Sequence, residues 1–362
     1  MENTLEKVQN YYGKVLSSSK DLKTSACTAA GRPHAEIRKV FCSIPNEIKD
    51  KFYGCGSPIP LGIAGRRVLD LGSGSGRDCY VASAMVGESG FVTGIDMTDE
   101  QLQVSKEHVD AFCSKRGFPA PNMKFVKGYI EYLDKAGIED ESQDLVISNC
   151  VVNLSPDKPR VIREAYRVLA PGGEMYFSDV YCDRRLPEEV QKHEVLWGEC
   201  ISGAMYVNDF EAEARRVGFV DARILSVSPI EINDRELQLV LGEAKFYSVT
   251  YRLFKLPDLL EPNQEDYGQY AVYKGTIKGY EHAYQLDQHN RFEKGKPVLV
   301  SGNTAAMLGE KGLSWLSPHF EVFGDRSVHY GAFAAATGDA MRRLPASAPA
   351  DAEKSSGGGC CG

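Results

Sequence analysis

The chain has 362 residues, and 42 Lys and Arg against 50 Asp and Glu leave a formal net charge of −8. Hydrophobic residues at 43% and charged residues at 25% are ordinary globular composition and exclude a wholly disordered or fibrous chain. The acidic balance argues against nucleic acid as the main partner, because a phosphate footprint needs a basic face, and no apolar run approaches the ~18–20 residues of a membrane span.

Residues 1–60 read as a helical N-terminal arm and a loop. Leu5, Val8, Tyr12, Val15 and Leu16 have helical spacing, Ser17–Lys20 breaks it, and the Pro- and Gly-rich run Tyr53-Gly54-Cys55-Gly56-Ser57-Pro58-Ile59-Pro60 predicts a shaped loop. The acidic start Met1–Glu6 carries no signal-peptide core, Glu2 excludes myristoylation, and Gly359, fourth from the end, excludes a prenylation box. A soluble, cytoplasmic protein is the expectation.

From 61 to 228 strand and helix signals alternate. Strands are expected at Arg67–Leu71, Phe91–Asp96, Met123–Lys127, Leu145–Ser148, Glu174–Ser178 and Val220–Val227. Helices are expected at Cys79–Val86, at Asp99–Arg116 with Asp99 or Thr98 as N-cap, at Lys158–Leu169 and at Asp209–Val217. Pro171-Gly172-Gly173 should end the third of these helices. Strands separated by helices predict a mostly parallel sheet with helices on both faces. Residues 229–343 change pattern. Glu236–Leu256, Gln269–Ile277 and Lys296–Leu299 suit antiparallel strands of a smaller α+β domain, and 344–362 has the small, polar, glycine-rich composition of a disordered tail.

The turn Asp70-Leu71-Gly72-Ser73-Gly74-Ser75-Gly76 lies between the first strand and its helix. Glycines there let a ligand approach the backbone N–H groups at a helix N-terminus. Asp96 ends the second strand, where a carboxylate accepts bonds from ribose hydroxyls. The spacing is G-x-G-x-G rather than G-x-G-x-x-G. Asp70 would repel a pyrophosphate, whereas it favours an ammonium or a sulfonium. The segment resembles the S-adenosylmethionine-dependent methyltransferases of the seven-strand Rossmann-like class. The resemblance implies that Asp70, Gly72, Ser73, Gly74 and Gly76 shape the methionine end of the site. It also implies that Asp96 holds the ribose and that Met97 packs on adenine. Ile130 and Glu131 would then lie at the far edge of the base, and Asn149 would face the cofactor. A structural turn without a ligand is the alternative for the glycines, and a core role is the alternative for Met97.

Methyl transfer to oxygen, nitrogen or carbon usually needs a base. The fourth strand ends instead in Ser148-Asn149-Cys150-Val151-Val152-Asn153-Leu154, with a thiol where the methyl group should point. Cys200 follows the fifth strand in a segment that would cover the substrate, and Cys55 precedes the first strand. Three thiolates meeting at one point form a soft-ligand trap. Zinc prefers four ligands. A trivalent soft centre with a lone pair needs three and carries no proton to remove, which fits trivalent arsenic.

Five segments are similar to arsenite methyltransferases: Leu22–Cys27, Tyr53–Pro58, Asp70–Asp78, Ser148–Leu154 and Gly198–Ala204. The resemblance runs from about residue 5 to residue 342 and implies that Cys55, Cys150 and Cys200 bind arsenic. It also implies that Cys27 joins a disulfide and reduction cycle and that Tyr53 lies beside the cofactor; Cys27 and Cys55 are the candidate thiol pair. Expected partners are arsenite or its glutathione conjugate and a thiol reductant, thioredoxin or glutathione, acting on a monomer without nucleic acid or membrane. Ten cysteines are unusual for a reducing compartment, where thiols are expected. A buried small hydrophobe is the reading for Cys79, Cys113 and Cys182. Cys42 stays open, and Cys360-Cys361 is either a metalloid-collecting arm or an incidental tail. A methyltransferase of a small organic metabolite, or a metalloid-binding sensor, are the alternative functions.

Overall fold

A computed structural model describes residues 33–51, 54–193, 196–197 and 200–334. The expected helix at Leu5–Leu16, Cys27, Tyr53 and the Cys360-Cys361 tail lie outside these residues.

Seven strands form the main sheet: β1 Arg67–Leu71, β2 Phe91–Asp96, β3 Met123–Lys127, β4 Gln143–Asn149, β5 Leu169–Cys182, β6 Arg223–Ile230 and β7 Phe246–Lys255. Their order is β3-β2-β1-β4-β5-β7-β6, and a two-residue strand, Met205–Tyr206, adds to the end of β5. The first five are mutually parallel, while β7 runs antiparallel between β5 and β6. Helices cover both faces because both sets of side chains along each strand are apolar. Val68, Leu145 and Ile147 face one core with Tyr80, Val81 and Phe112, and their neighbours Leu69, Leu71 and Val146 face the other with Val161, Ile162 and Phe210.

The expected strands at β1, β2 and β3 have the observed bounds. Elsewhere the structure differs for local reasons. The expected helix Asp99–Arg116 is two helices, Asp99–Glu107 and Val109–Lys115, broken at His108. Thr98 is its N-cap residue, without a side-chain capping bond. The helix Lys158–Val168 ends before Pro171, capped at its start by Asp157, and β5 runs straight through Pro171-Gly172-Gly173. There the Gly172 carbonyl accepts from Ser314 N–H at 3.1 Å, joining the sheet to the C-terminal region. Within Glu236–Leu256 the first part is a helix, Arg235–Leu241, and the second is β7. The sheet therefore extends past residue 228, the expected end of the methyltransferase domain, to Lys255.

The C-terminal region carries a three-stranded antiparallel sheet, Pro297–Leu299, Tyr270–Tyr273 and Phe320–Phe323, and a hairpin of Ala283–Gln285 with Arg291–Glu293. It shares a core with one face of the main sheet through Tyr273, Tyr284, Trp315 and Phe320. The joint is also polar. Arg252 on β7 is fully buried, pairs with both oxygens of Glu174 on β5 at 2.7 and 2.9 Å, and donates to Tyr284 Oη and the Leu286 carbonyl, each at 3.0 Å. Breaking a buried pair leaves an uncompensated charge in a low-dielectric interior. Arg252→Leu is therefore expected to destabilise the fold by about 3–5 kcal/mol, read as a lowered midpoint in denaturant unfolding, and an unchanged midpoint would remove Arg252 as the joint.

Candidate functional site

The C-terminal ends of β1, β2 and β4 open on a cleft. A ligand site at this edge is the rule for open α/β sheets, because the strand order reverses there. Asp70, Gly72, Ser73, Gly74, Asp96, Met97, Ile130, Glu131 and Asn149 all line it. Gly76 does not. At φ 91° it is the N-cap of the helix Arg77–Val86, and a Cβ there would meet the Phe125 ring at 2.8 Å. Its part is the turn itself.

One end of the cleft is strongly acidic. Asp70, Asp78 and Asp96 are all at this end, with Asp70 and Asp78 nearly fully buried. Burial holds the Asp70 carboxyl well above its usual range, the charges of Asp78 and Asp96 push it further, and Cys79, whose Sγ–H donates to Asp70 Oδ2 at 3.2 Å, opposes them. Burial also raises Asp96, against the N–H groups of Thr98 and Gly74, which its carboxylate accepts at 2.8 Å each. Buried carboxylates gathered in this way favour a cationic ligand. Cys79 is thus more than the small hydrophobe expected, since its thiol orients Asp70.

At the other end, Ser155 Oγ donates to Glu131 Oε1 and Arg160 Nε donates to the Glu131 carbonyl at 2.7 Å. Glu131 Oε2 and Ser73 Oγ are buried without a hydrogen-bond partner among the described residues. Buried polar atoms are normally satisfied, so both mark places for polar groups of a ligand. An acidic end for a sulfonium and an ammonium, an acceptor for an amino group and an apolar wall of Met97 and Ile130 fit S-adenosylmethionine.

The cysteines stand beside this cleft. Cys150 lines it, in the left-handed region at φ 58° just beyond β4. Cys55 is bonded to Cys150 as a disulfide, with Cα atoms 5.9 Å apart, and Cys55 N–H points at Cys150 Sγ at 3.1 Å. Cys200, also left-handed at φ 61°, donates its thiol to the Cys150 carbonyl at 3.2 Å. Each is 2% exposed or less, and all three share one core cluster. Strained φ values of this kind persist only where the surroundings enforce them, and they concentrate at functional sites. The structure thus pairs Cys55 with Cys150, while Cys27 lies outside the described residues. A disulfide cannot coordinate arsenic, so the three-thiolate arrangement requires its reduction.

The loop of Cys55 is held by the sheet. Ser248 Oγ donates to the Cys55 carbonyl at 2.8 Å, and Gly56 exchanges two bonds with the Asn149 side chain. A Cβ on Gly56 would lie 2.0 Å from Ser178 Oγ, so only glycine permits this approach. Asn149 was expected to face the cofactor. It lines the cleft, but its amide is occupied by Gly56 and Asp78.

Sequence reasoning missed several members. Ser75 Oγ donates to the Ile48 carbonyl at 2.9 Å and pins the arm to the glycine loop. Lys158 lies over the Trp197 ring at 5.0 Å and donates to the Ser155 carbonyl at 3.0 Å. Burial lowers it to about 8, opposed by Asp179, Cys200 and Glu131. Asp179 accepts from Asn153 N–H at 3.1 Å and Asn153 Nδ2 at 2.9 Å, which fixes the turn after Cys150. None of these follows a recognisable local pattern, because each depends on contacts across the fold. Among the described residues, no helix is long and apolar enough to cross a membrane.

Comparison with known proteins agrees with this geometry. A methyltransferase-domain family model matches residues 64–237, and a model described as the arsenite methyltransferase C-terminal domain matches 267–362. The fold and the cleft define an S-adenosylmethionine-dependent methyltransferase. An arsenite methyltransferase of Aquipseudomonas alcaligenes is 53% identical over 91% of this chain and 93% of its own length. One of Homo sapiens is 46% identical over 83% of this chain and 80% of its own. The crystal structure of an arsenic(III) S-adenosylmethionine methyltransferase from Chlamydomonas reinhardtii is 61% identical, with a TM-score of 0.80 over 83% of this chain and all of that one. The chain belongs to the arsenite methyltransferase family.

Two expectations follow from the site. Asp96→Ala removes a charged acceptor that contributes about 1.5–3 kcal/mol, so S-adenosylhomocysteine should bind roughly tenfold to 100-fold more weakly by calorimetry, and equal affinity would sink the assignment. Burial raises Asp179 to about 6 from 3.8, opposed by the N–H groups of Val180 and Asn153. A raised carboxyl contributes stability that is complete below the unfolded value and is lost as pH rises through the folded one. Between pH 4 and 6 the parent should therefore lose stability relative to Asp179→Asn, by roughly 3 kcal/mol at one to two units above that range. Parallel melting curves for the two proteins across that range would contradict it.

Proposed function

We propose that the protein transfers the methyl group of S-adenosylmethionine to trivalent arsenic held by the thiolates of Cys55, Cys150 and Cys200. The observation that carries this reading is the meeting of three buried cysteines from separate parts of the chain at the inner wall of the cofactor cleft. When bound, the cofactor supplies an electrophilic methyl group. The carboxylates of Asp70 and Asp78 hold its cationic end, Asp96 holds the ribose, and Glu131 and Met97 hold the base.

Arsenite exchanges three hydroxyls for three cysteine sulfurs and releases three waters, and its glutathione conjugate would exchange thiol for thiol. The arsenic lone pair is the nucleophile, so no residue need remove a proton. Cys150 stands where a metabolite methyltransferase would carry a base, which disfavours that alternative. Position does most of the work, as the sheet fixes Cys150 and the loop of Cys55 while the segment after β5 brings Cys200. Methyl transfer raises arsenic to the pentavalent state. Its return takes two electrons, supplied as two cysteine thiolates close a disulfide, which thioredoxin or glutathione then reopens by thiol exchange. Cys55 with Cys150 is one such pair and Cys27 with Cys55 is the other. The products are methyl- and dimethylarsenicals with S-adenosylhomocysteine, a detoxifying outcome in a reducing cytoplasm. All three cysteines come from one chain, so a monomer is complete.

Methylarsenite already carries one carbon and needs only two thiolates. Under strong reductant, Cys150→Ser and Cys200→Ser should lose methylation of arsenite and of methylarsenite. Cys27→Ser and Cys55→Ser should lose the first step and keep much of the second. Product speciation by arsenic-specific chromatography measures both steps, and full loss of the second step in Cys55→Ser would show that all three thiolates serve each step.

A further inference from the structure

We propose that Asn149 is a positioning residue through which cofactor occupancy sets the affinity of the arsenic trap. The proposal rests on the reading of Cys55, Cys150 and Cys200 as that trap. A side-chain amide offers two N–H hydrogens and one carbonyl oxygen, and Asn149 uses them in two directions. Towards the trap, its Oδ1 accepts from Gly56 N–H at 3.1 Å and its Nδ2 donates to the Gly56 carbonyl at 3.0 Å. Towards the cofactor, the same Nδ2 donates to Asp78 Oδ2 at 2.9 Å. All three groups are buried at this junction, where water does not compete for the bonds.

Each end of this link is a functional element. Gly56 follows Cys55, and Asn149 precedes Cys150, so the amide sets how far one sulfur lies from the other. Asp78 lines the cleft, and its second oxygen is taken by Arg77 at 2.8 and 3.0 Å. Burial, and after it the charge of Asp78, hold the Asp70 carboxyl above its usual range, so the two groups lie within electrostatic reach of each other. The ammonium group, which S-adenosylmethionine and S-adenosylhomocysteine share, draws these carboxylates together. Asp78 can settle against the ligand only by adjusting its bond to Asn149, and Asn149 moves with Gly56 because two opposed bonds lock them. A ligand with different affinity for two arrangements of a link shifts the affinity at its far end, and the coupling is reciprocal.

The test measures binding, with no turnover. Arsenite affinity of the full-length, fully reduced protein is determined by equilibrium dialysis with and without saturating S-adenosylhomocysteine. The parent should bind arsenite at least about fivefold more tightly with the nucleoside present. S-adenosylhomocysteine affinity with and without arsenite should change by the same factor. Asn149→Ala should bring the ratio close to one. Asp78→Asn, which keeps an acceptor but removes the charge that senses the cation, should do the same, and the double variant should lose no more coupling than either single one. If Asn149→Ala fails to fold, as judged by its melting curve, the Asp78→Asn ratio decides. A parent ratio of one, or a folded variant that keeps the parent ratio, overturns the proposal alone. Arsenite affinity unchanged in Cys150→Ser overturns the trap and the proposal with it.

Discussion

The chemistry of this protein depends on a backbone segment being held where no regular element would place it. Cys55-Gly56 lies across the end of the sheet, bound by the Asn149 side chain, by Ser248 Oγ and by the absence of a Cβ against Ser178. Remove any of these and Cys55 has no reason to stand within disulfide reach of Cys150. The proposed trap would then be two cysteines on the sheet and its covering segment, with the third left on a loop. The strain at Cys150 and Cys200 belongs to the same construction. Both turn their backbones into a region disfavoured for a side-chain-bearing residue, and the packing of β5, Leu196 and Ile201 around them holds that conformation.

Electrostatics explains why the site takes this cofactor. Three carboxylates converge where a dinucleotide fold would receive phosphate. Burial makes their charges costly, and a sulfonium with an ammonium offsets that cost. In the proposed trap, arsenic held as a trithiolate would carry no net charge, so the site would need no counter-ion of its own and could be lined by Leu154, Val180, Leu196 and Ile201. A dry wall also protects thiolates and methyl group from water.

Much of this was legible in the sequence because it is local. The glycine turn, the carboxylate closing β2 and the thiol closing β4 each sit at a strand end that hydrophobic runs locate. Cys55 and Cys200 were singled out by their place before β1 and after β5, and the family resemblance implied that they bind arsenic with Cys150. What was missed is non-local. β7 was read as part of another domain because an antiparallel strand arriving after a helix carries no mark of the sheet it will join. Asn149 lines the cleft, but its bonds to Gly56, 93 residues away in sequence, carry no local mark. Cys79 lies in the core, as read, but its thiol's bond to Asp70 was not expected, because in sequence it looks like any buried cysteine. The disulfide between Cys55 and Cys150 was not expected either, because arsenic ligands were read as free thiolates.

X-ray absorption at the arsenic edge, on the reduced full-length protein loaded with one equivalent of arsenite, tests the central claim most directly. Three sulfur neighbours and no oxygen in the first shell of the parent, falling to two sulfurs in Cys55→Ser, are the expected result. A parent shell that retains oxygen, or a Cys55→Ser shell that still holds three sulfurs, would contradict a trap made of Cys55, Cys150 and Cys200.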